Sequence, residues 1–76
     1  NESNEAKELL IFMREEWEIL RSKLDSFGIK PDDEMRMMIE REVSDANISF
    51  EDGDIQLCLS HLSKSDELIE NLRRRI

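Results

Sequence analysis

Cys58 and His61 stand three residues apart in "CLSH", where the chain's single thiol meets its single imidazole. A Cys-x-x-His pair can offer two zinc ligands, or a nucleophile beside a base. Structural zinc needs about four ligands, and the chain has no second Cys or His, so only a site shared across a dimer would complete the set. Thiolate catalysis wants an electropositive setting and a third, orienting group, and the neighbouring residues supply neither. The pair reads as a partly buried thiol and a loop imidazole.

"EDGD", Glu51 to Asp54, invites calcium. An EF-hand loop with its glycine at Gly53 would begin at Ile48 and put Ile48, Phe50 and Leu59 at oxygen-ligand positions, where none can coordinate. That loop is rejected. Asp32, Asp33 and Glu34 suit the positive end of a helix better than a cation. A phosphate-cradling loop is missing, because the only glycines are Gly28 and Gly53. No carboxylate is set in an apolar run that would raise its pKa for acid–base work. The sequence therefore assigns no catalytic residue, no cofactor-binding residue and no metal ligand, and the expectation is that the protein is not an enzyme.

What remains are surfaces. "NLRRRI" ends the chain, and Arg73, Arg74 and Arg75 suit the negative end of a helix, an acidic partner or phosphates. The net charge of −8 weighs against a general nucleic-acid binder. It is unevenly placed: 16 acids against 7 bases up to Asp54, then 3 against 4. The acidic part would speed encounter with a basic partner. Trp17 is the only tryptophan, a common anchor in protein contacts. Phe12 and Ile19 lie beside the apolar seam of the first helix, and Met37 lies off the main face of the second. Flexible thioethers suit adaptable contacts.

Three kinds of element must position these residues. Ala6, Leu10, Met13, Trp17, Leu20, Leu24 and Phe27 are spaced 4-3-4-3-4-3, an apolar seam held over three heptads. Helix 1 is expected from Asn4 to Phe27, with residues 1–3 fraying and Gly28 as the left-handed residue that ends it. Met35, Met38, Ile39, Glu42, Val43 and Ala46 define a second helical face, expected from Pro31 to Asp45 and antiparallel to the first.

"NISFEDGDIQLCLSH" supports two readings. As a hairpin, Asp52-Gly53 fills a two-residue turn, and Ile48, Phe50, Ile55, Leu57 and Leu59 share one face at period two. As a helix, Ser49 or Asp54 caps a seam of Ile55, Cys58, Leu62, Ser65, Ile69, Leu72 and Ile76. Ser60, Ser63 and Ser65 would then sit inside one helix, where they compete for backbone groups. The hairpin is favoured, followed by a last helix from Ser65 to Arg75.

The expected fold is mainly α with a β element: two antiparallel helices, a β-hairpin near 48–59 and a C-terminal helix, in one small helix-rich domain over residues 1–76. The alternative is an all-α three- or four-helix bundle. A chain this short has a thin core, so its expected role is a protein–protein interaction or oligomerisation module, alone or as the regulatory or adaptor part of a larger chain. Phe12, Trp17, Ile19, Met37 and Arg73 to Arg75 are the candidate contacts. The expected partner is another protein, with a basic one favoured by the acidic surface, or a second copy. The alternative role is a nucleic-acid-associated regulator using the basic C-terminal helix. A single cysteine fits a reducing, intracellular setting, cytoplasmic or nuclear. No run approaches a membrane span, so no membrane partner is expected. The chain starts at Asn1, not Met, which fits a fragment or a processed chain.

Overall fold

Each helix of this chain starts on a side chain that can accept from its own first turn, and the first two stop on a glycine. A computed structural model describes residues 1–76 as three helices and no strand: α1 (Glu2–Ser26), α2 (Glu34–Glu51) and α3 (Ile55–Arg75). The Asn1 side chain accepts from Asn4 N at 2.9 Å, so helix begins at Glu2 inside the segment expected to fray. Asp33 accepts from Met35 N and Arg36 N at 3.1 and 3.2 Å, and Asp54 from Leu57 N at 3.1 Å. These acceptors satisfy amide groups that have no partner within the helix.

The glycines close α1 and α2 in the same way. Gly28 and Gly53 have φ of +78° and +82°. After α1, Ile29 N donates to Leu24 O and Gly28 N to Asp25 O; after α2, Asp54 N donates to Ser49 O and Gly53 N to Phe50 O. Both are the paired 6→1 and 5→2 bonds of a Schellman end, which needs a left-handed residue. Pro31 lies outside α2. It occupies the second position of a turn closed by Asp33 N donating to Lys30 O at 3.0 Å, so α2 starts three residues later than expected.

The hairpin near 48–59 is not formed, and the last helix starts at Ile55 rather than Ser65. The fold of two helices, a hairpin and a C-terminal helix is therefore corrected to a three-helix, all-α bundle. Gly53 carries the positive φ that either reading demands, but it uses it to end α2, while Asp54 caps α3 at once. Period-two burial is absent, since Ile48 and Leu57 are 53% and 45% exposed. The serines do not block the helices. Ser49 Oγ donates to Asp45 O, 2.8 Å away and one turn back. Ser60 and Ser63 face solvent, and Ser65 is buried.

Links and polar contacts fix the topology. Asp25 meets Arg36 and Arg21 meets Glu40, so α1 and α2 are antiparallel. The short 52–54 link turns α3 back along α2, where Glu42 hydrogen-bonds His61, and the Glu2–Gln56 and Glu16–Arg73 contacts set α1 parallel to α3. The bundle measures 39 × 17 × 17 Å. Its core takes Ala6, Leu10, Met13, Trp17, Leu20 and Leu24 from α1; Ile39, Val43 and Ala46 from α2; and Cys58, Leu62, Ile69 and Leu72 from α3. Arg36, Ser49 and Ser65 are buried with them. Arg36 belongs to the true inward face of α2, Arg36–Ile39–Val43–Ala46. Its Nη1 donates to Asp25 Oδ1 at 2.7 Å and to Ile29 O at 3.1 Å, tying the first interhelical turn to α2.

Ser65 Oγ is buried without a hydrogen-bond partner, which is costly in an apolar interior. Ser65→Ala is therefore expected to raise the urea midpoint, by about 1 kcal/mol of stability. Leu24→Ala, at a fully buried site, is expected to lower it by about 2–5 kcal/mol.

Candidate functional site

The residues that could carry chemistry are taken up by the fold. Cys58 is fully buried in the core, not partly exposed, and that burial raises its thiol pKa. The thiol is thus held protonated and away from reagents. His61 is on a helix, not a loop, and half-buried between α2 and α3. Its Nδ1 lies 2.6 Å from Glu42 Oε2, so the Nδ1–H donates to that carboxylate. The carboxylates of "EDGD" end α2 and cap α3. No group of three or more His, Cys, Asp or Glu side chains gathers to hold a metal ion.

The C-terminal arginines separate into different roles. Arg73 donates to Glu16 at 2.6 Å and Glu70 at 2.9 Å, and the Glu16 contact raises its pKa further. Arg75 donates to Asp33 at 3.2 Å, joining the end of α3 to the start of α2. Arg74 is exposed and enters no ion pair. Two of the three cations therefore close the bundle from within.

The apolar candidates also divide. Trp17 is 4% exposed and belongs to the core, so of this candidate contact only an edge at the floor of a groove is open to a partner. Its spacing put it on the seam, and the seam turned inward. Phe12, Ile19 and Met37 are 56%, 59% and 52% exposed, as their off-seam positions implied. Ile11, at 46%, joins Phe12 and Ile19 on α1, a residue that sequence reasoning passed over. The signal was present: 11, 15 and 19 fall one turn apart on one helix face. Ile48 on α2 and Leu57 on α3 were hidden by the hairpin reading, which turned both inward.

Ile11, Phe12 and Ile19 form a broken strip on the side of α1 away from its buried seam, with Ile11 and Ile19 at its α2 edge and Phe12 turned toward α3. Residues seven and eight apart lie on one helix face, about 12 Å from end to end at 1.5 Å per residue. Glu8 and Glu15 interleave with the strip, are exposed and enter no ion pair. On the α2 side the strip opens into a groove of about 610 Å³, with Trp17 and Val43 beneath and Arg14, Glu15 and Glu18 at its edge. Such a surface can take apolar side chains and cationic groups together. No helix is long and apolar enough to cross a membrane.

Two expectations follow. Cys58 should resist thiol reagents in the native chain and react only as the bundle opens, so its labelling rate in urea should track the unfolded fraction. Asp33 has its carboxyl pKa lowered below 3.8, chiefly by the Arg36 backbone amide and then by the Arg75 side chain. Stability from a lowered carboxyl is present above its ordinary pKa and lost as pH falls through the lowered one. Asp33→Asn keeps an acceptor at the cap and removes the charge, so its deficit in urea midpoint should be full near ~pH 7 and shrink as pH falls through the lowered pKa.

No family model matches this chain, and no curated protein or solved structure matches it either.

Proposed function

We propose that this protein is a non-enzymatic interaction module that binds another polypeptide through the outer face of α1. One observation carries the reading: Ile11, Phe12 and Ile19, three large apolar side chains, stand about half exposed on one side of one helix. Single exposed apolar residues are ordinary, whereas several gathered on one side of one helix favour a contact surface. Covering them removes apolar area from water at roughly 25 cal/mol per Å². An interface of ordinary size takes about 800 Å² from each side, roughly one sixth of this chain's 5111 Å². Met37 and Ile48 on α2 and Leu57 on α3 add smaller apolar points elsewhere.

The nucleic-acid reading draws less support. Arg73 and Arg75 are spent on Glu16, Glu70 and Asp33 within the chain. Arg74 alone is a small cationic footprint beside a net charge of −8.

Photo-crosslinking in cells that express the chain tests the interaction reading. A photoreactive phenylalanine analogue at position 12 or 19 is expected to trap a polypeptide. The same group at Ser63, exposed on α3, is expected to trap none. Equal yields from all three positions, or none from positions 12 and 19, would remove the proposal. Phe12→Ser and Ile19→Ser should each suppress adducts formed from the other position. Each should change stability by no more than about 0.5 kcal/mol, because these side chains are outside the core.

A further inference from the structure

We infer that the strip on α1 is built for a cationic amphipathic helix and not for a second copy of this chain. The inference rests on the interaction reading above and adds the chemistry of the partner. Its argument is the position of Glu15. That residue stands between Ile11 and Ile19, exposed and in no ion pair, with Glu8 two turns earlier in the same state.

Consider a second copy first. An antiparallel pair that lays Ile11 on Ile19 of its mate puts the twofold axis at residue 15. One that lays Phe12 on Ile19 puts it between residues 15 and 16. Glu15 then faces its own mate, or Glu16, at the centre of the contact. A parallel twofold pair sets every residue against itself, so Glu8 meets Glu8 and Glu15 meets Glu15. In the first register Lys23 falls opposite Lys7, and Arg14 opposite Glu16, which Arg73 already holds; in the second Lys23 falls opposite Glu8, at the rim. Each twofold arrangement buries like charges where water is excluded, between chains that each carry −8.

A partner helix with Lys or Arg at the matching position reverses that sign. It would present apolar residues seven or eight apart, one for each end of the strip, with a cation between them facing Glu15. The apolar side chains would seat against Ile11 and Ile19 and enter the groove floored by Trp17 and Val43, with Phe12 meeting the partner at the α3 edge. Glu8 would receive a second cation one heptad away. Apolar anchors would supply most of the affinity, and the carboxylates would set register and exclude acidic helices. Arg14, the cation at the groove edge, enters no ion pair and also lines a recess with Glu40 and Asn47 on the α2 side, where Arg21 is already held by Glu18 and Glu40.

The test uses the intact chain, nitrogen-15 labelled, and two synthetic helical peptides with the same leucine pattern, one filled with lysine and one with glutamate. The Leu/Lys peptide is expected to move amide signals across Glu8 to Ser22, and the Leu/Glu peptide to move none. Ile19→Ser and Glu15→Lys should each weaken the Leu/Lys complex at least about tenfold. Glu67→Lys, an equal charge change at an exposed site on α3, should leave it within about twofold. Glu15→Leu should raise the molar mass toward that of a dimer at high concentration, while the parent chain stays a monomer. Equal weakening by Glu67→Lys and Glu15→Lys would overturn the inference, since binding would then be diffuse attraction to a negative protein. Equal binding of both peptides would overturn it too. If Ile11 and Ile19 signals move with the chain's own concentration, a second copy fills the strip: the interaction reading stands and the cationic partner falls. If neither peptide nor concentration moves them and crosslinking at 12 and 19 is silent, both fall.

Discussion

The bundle depends on a three-residue corner, Asp52-Gly53-Asp54. Gly53 takes a positive φ that few other residues adopt without strain, and this lets the last carbonyls of α2 find partners. Asp54 then serves twice: its amide closes α2 and its carboxylate opens α3. Two helices so joined must run back along each other, and α2 and α3 are the most closely packed pair in the molecule. They form the surface onto which α1 lays its seam. The Gly28 corner repeats the device between α1 and α2 with a longer link, anchored by Arg36.

Each helix is amphipathic over its whole length, yet only 16 of the 76 residues are buried. That is a thin interior, and small domains commonly add a staple to one. Here the additions are cross-helix polar pairs: the ion pairs of Arg36 with Asp25, Arg73 with Glu16 and Arg75 with Asp33, and the His61–Glu42 hydrogen bond. Exposed pairs of this kind contribute up to about 1 kcal/mol each. Their larger effect is on register, because each joins a different point of two helices and a slip of one turn would break several. The Arg36 pair differs, since the guanidinium is buried while its carboxylate partner remains in water.

The same thinness explains the outer strip of α1. A bundle of three helices gives each one a single inward stripe, and α1 fills that stripe with Ala6 through Leu24. Ile11, Phe12 and Ile19 have no place in it. In a chain that folds only for itself, polar residues at these positions would cost nothing and add solubility. Large apolar groups there, interleaved with unpaired carboxylates, are the feature on which the proposed contact with another polypeptide rests.

The sequence by itself determined α1, its inward seam from Ala6 to Leu24 and its glycine end, because a sustained 4-3 spacing has one geometric solution; Phe27, the expected last member of the seam, lies past the helix end and is 65% exposed. It also determined that Phe12, Ile19 and Met37 lie off the buried faces. It did not decide the stretch from Asn47 to His61. Five apolar residues there satisfy a period of two, and others satisfy the helical period, so pattern alone cannot choose. Tertiary structure chose. An isolated two-stranded hairpin is marginal in water and has no further strand to join, whereas continuous helix from Ile55 supplies Cys58, Leu62, Ile69 and Leu72 to a core that α1 and α2 leave open. Trp17 and the arginines show the same limit on single side chains. Residue type does not say whether an anchor faces in or out, or which cation meets a carboxylate. Those outcomes depend on residues distant in the chain, and Glu16, some 57 positions from Arg73, reaches it only once three helices have closed on one another.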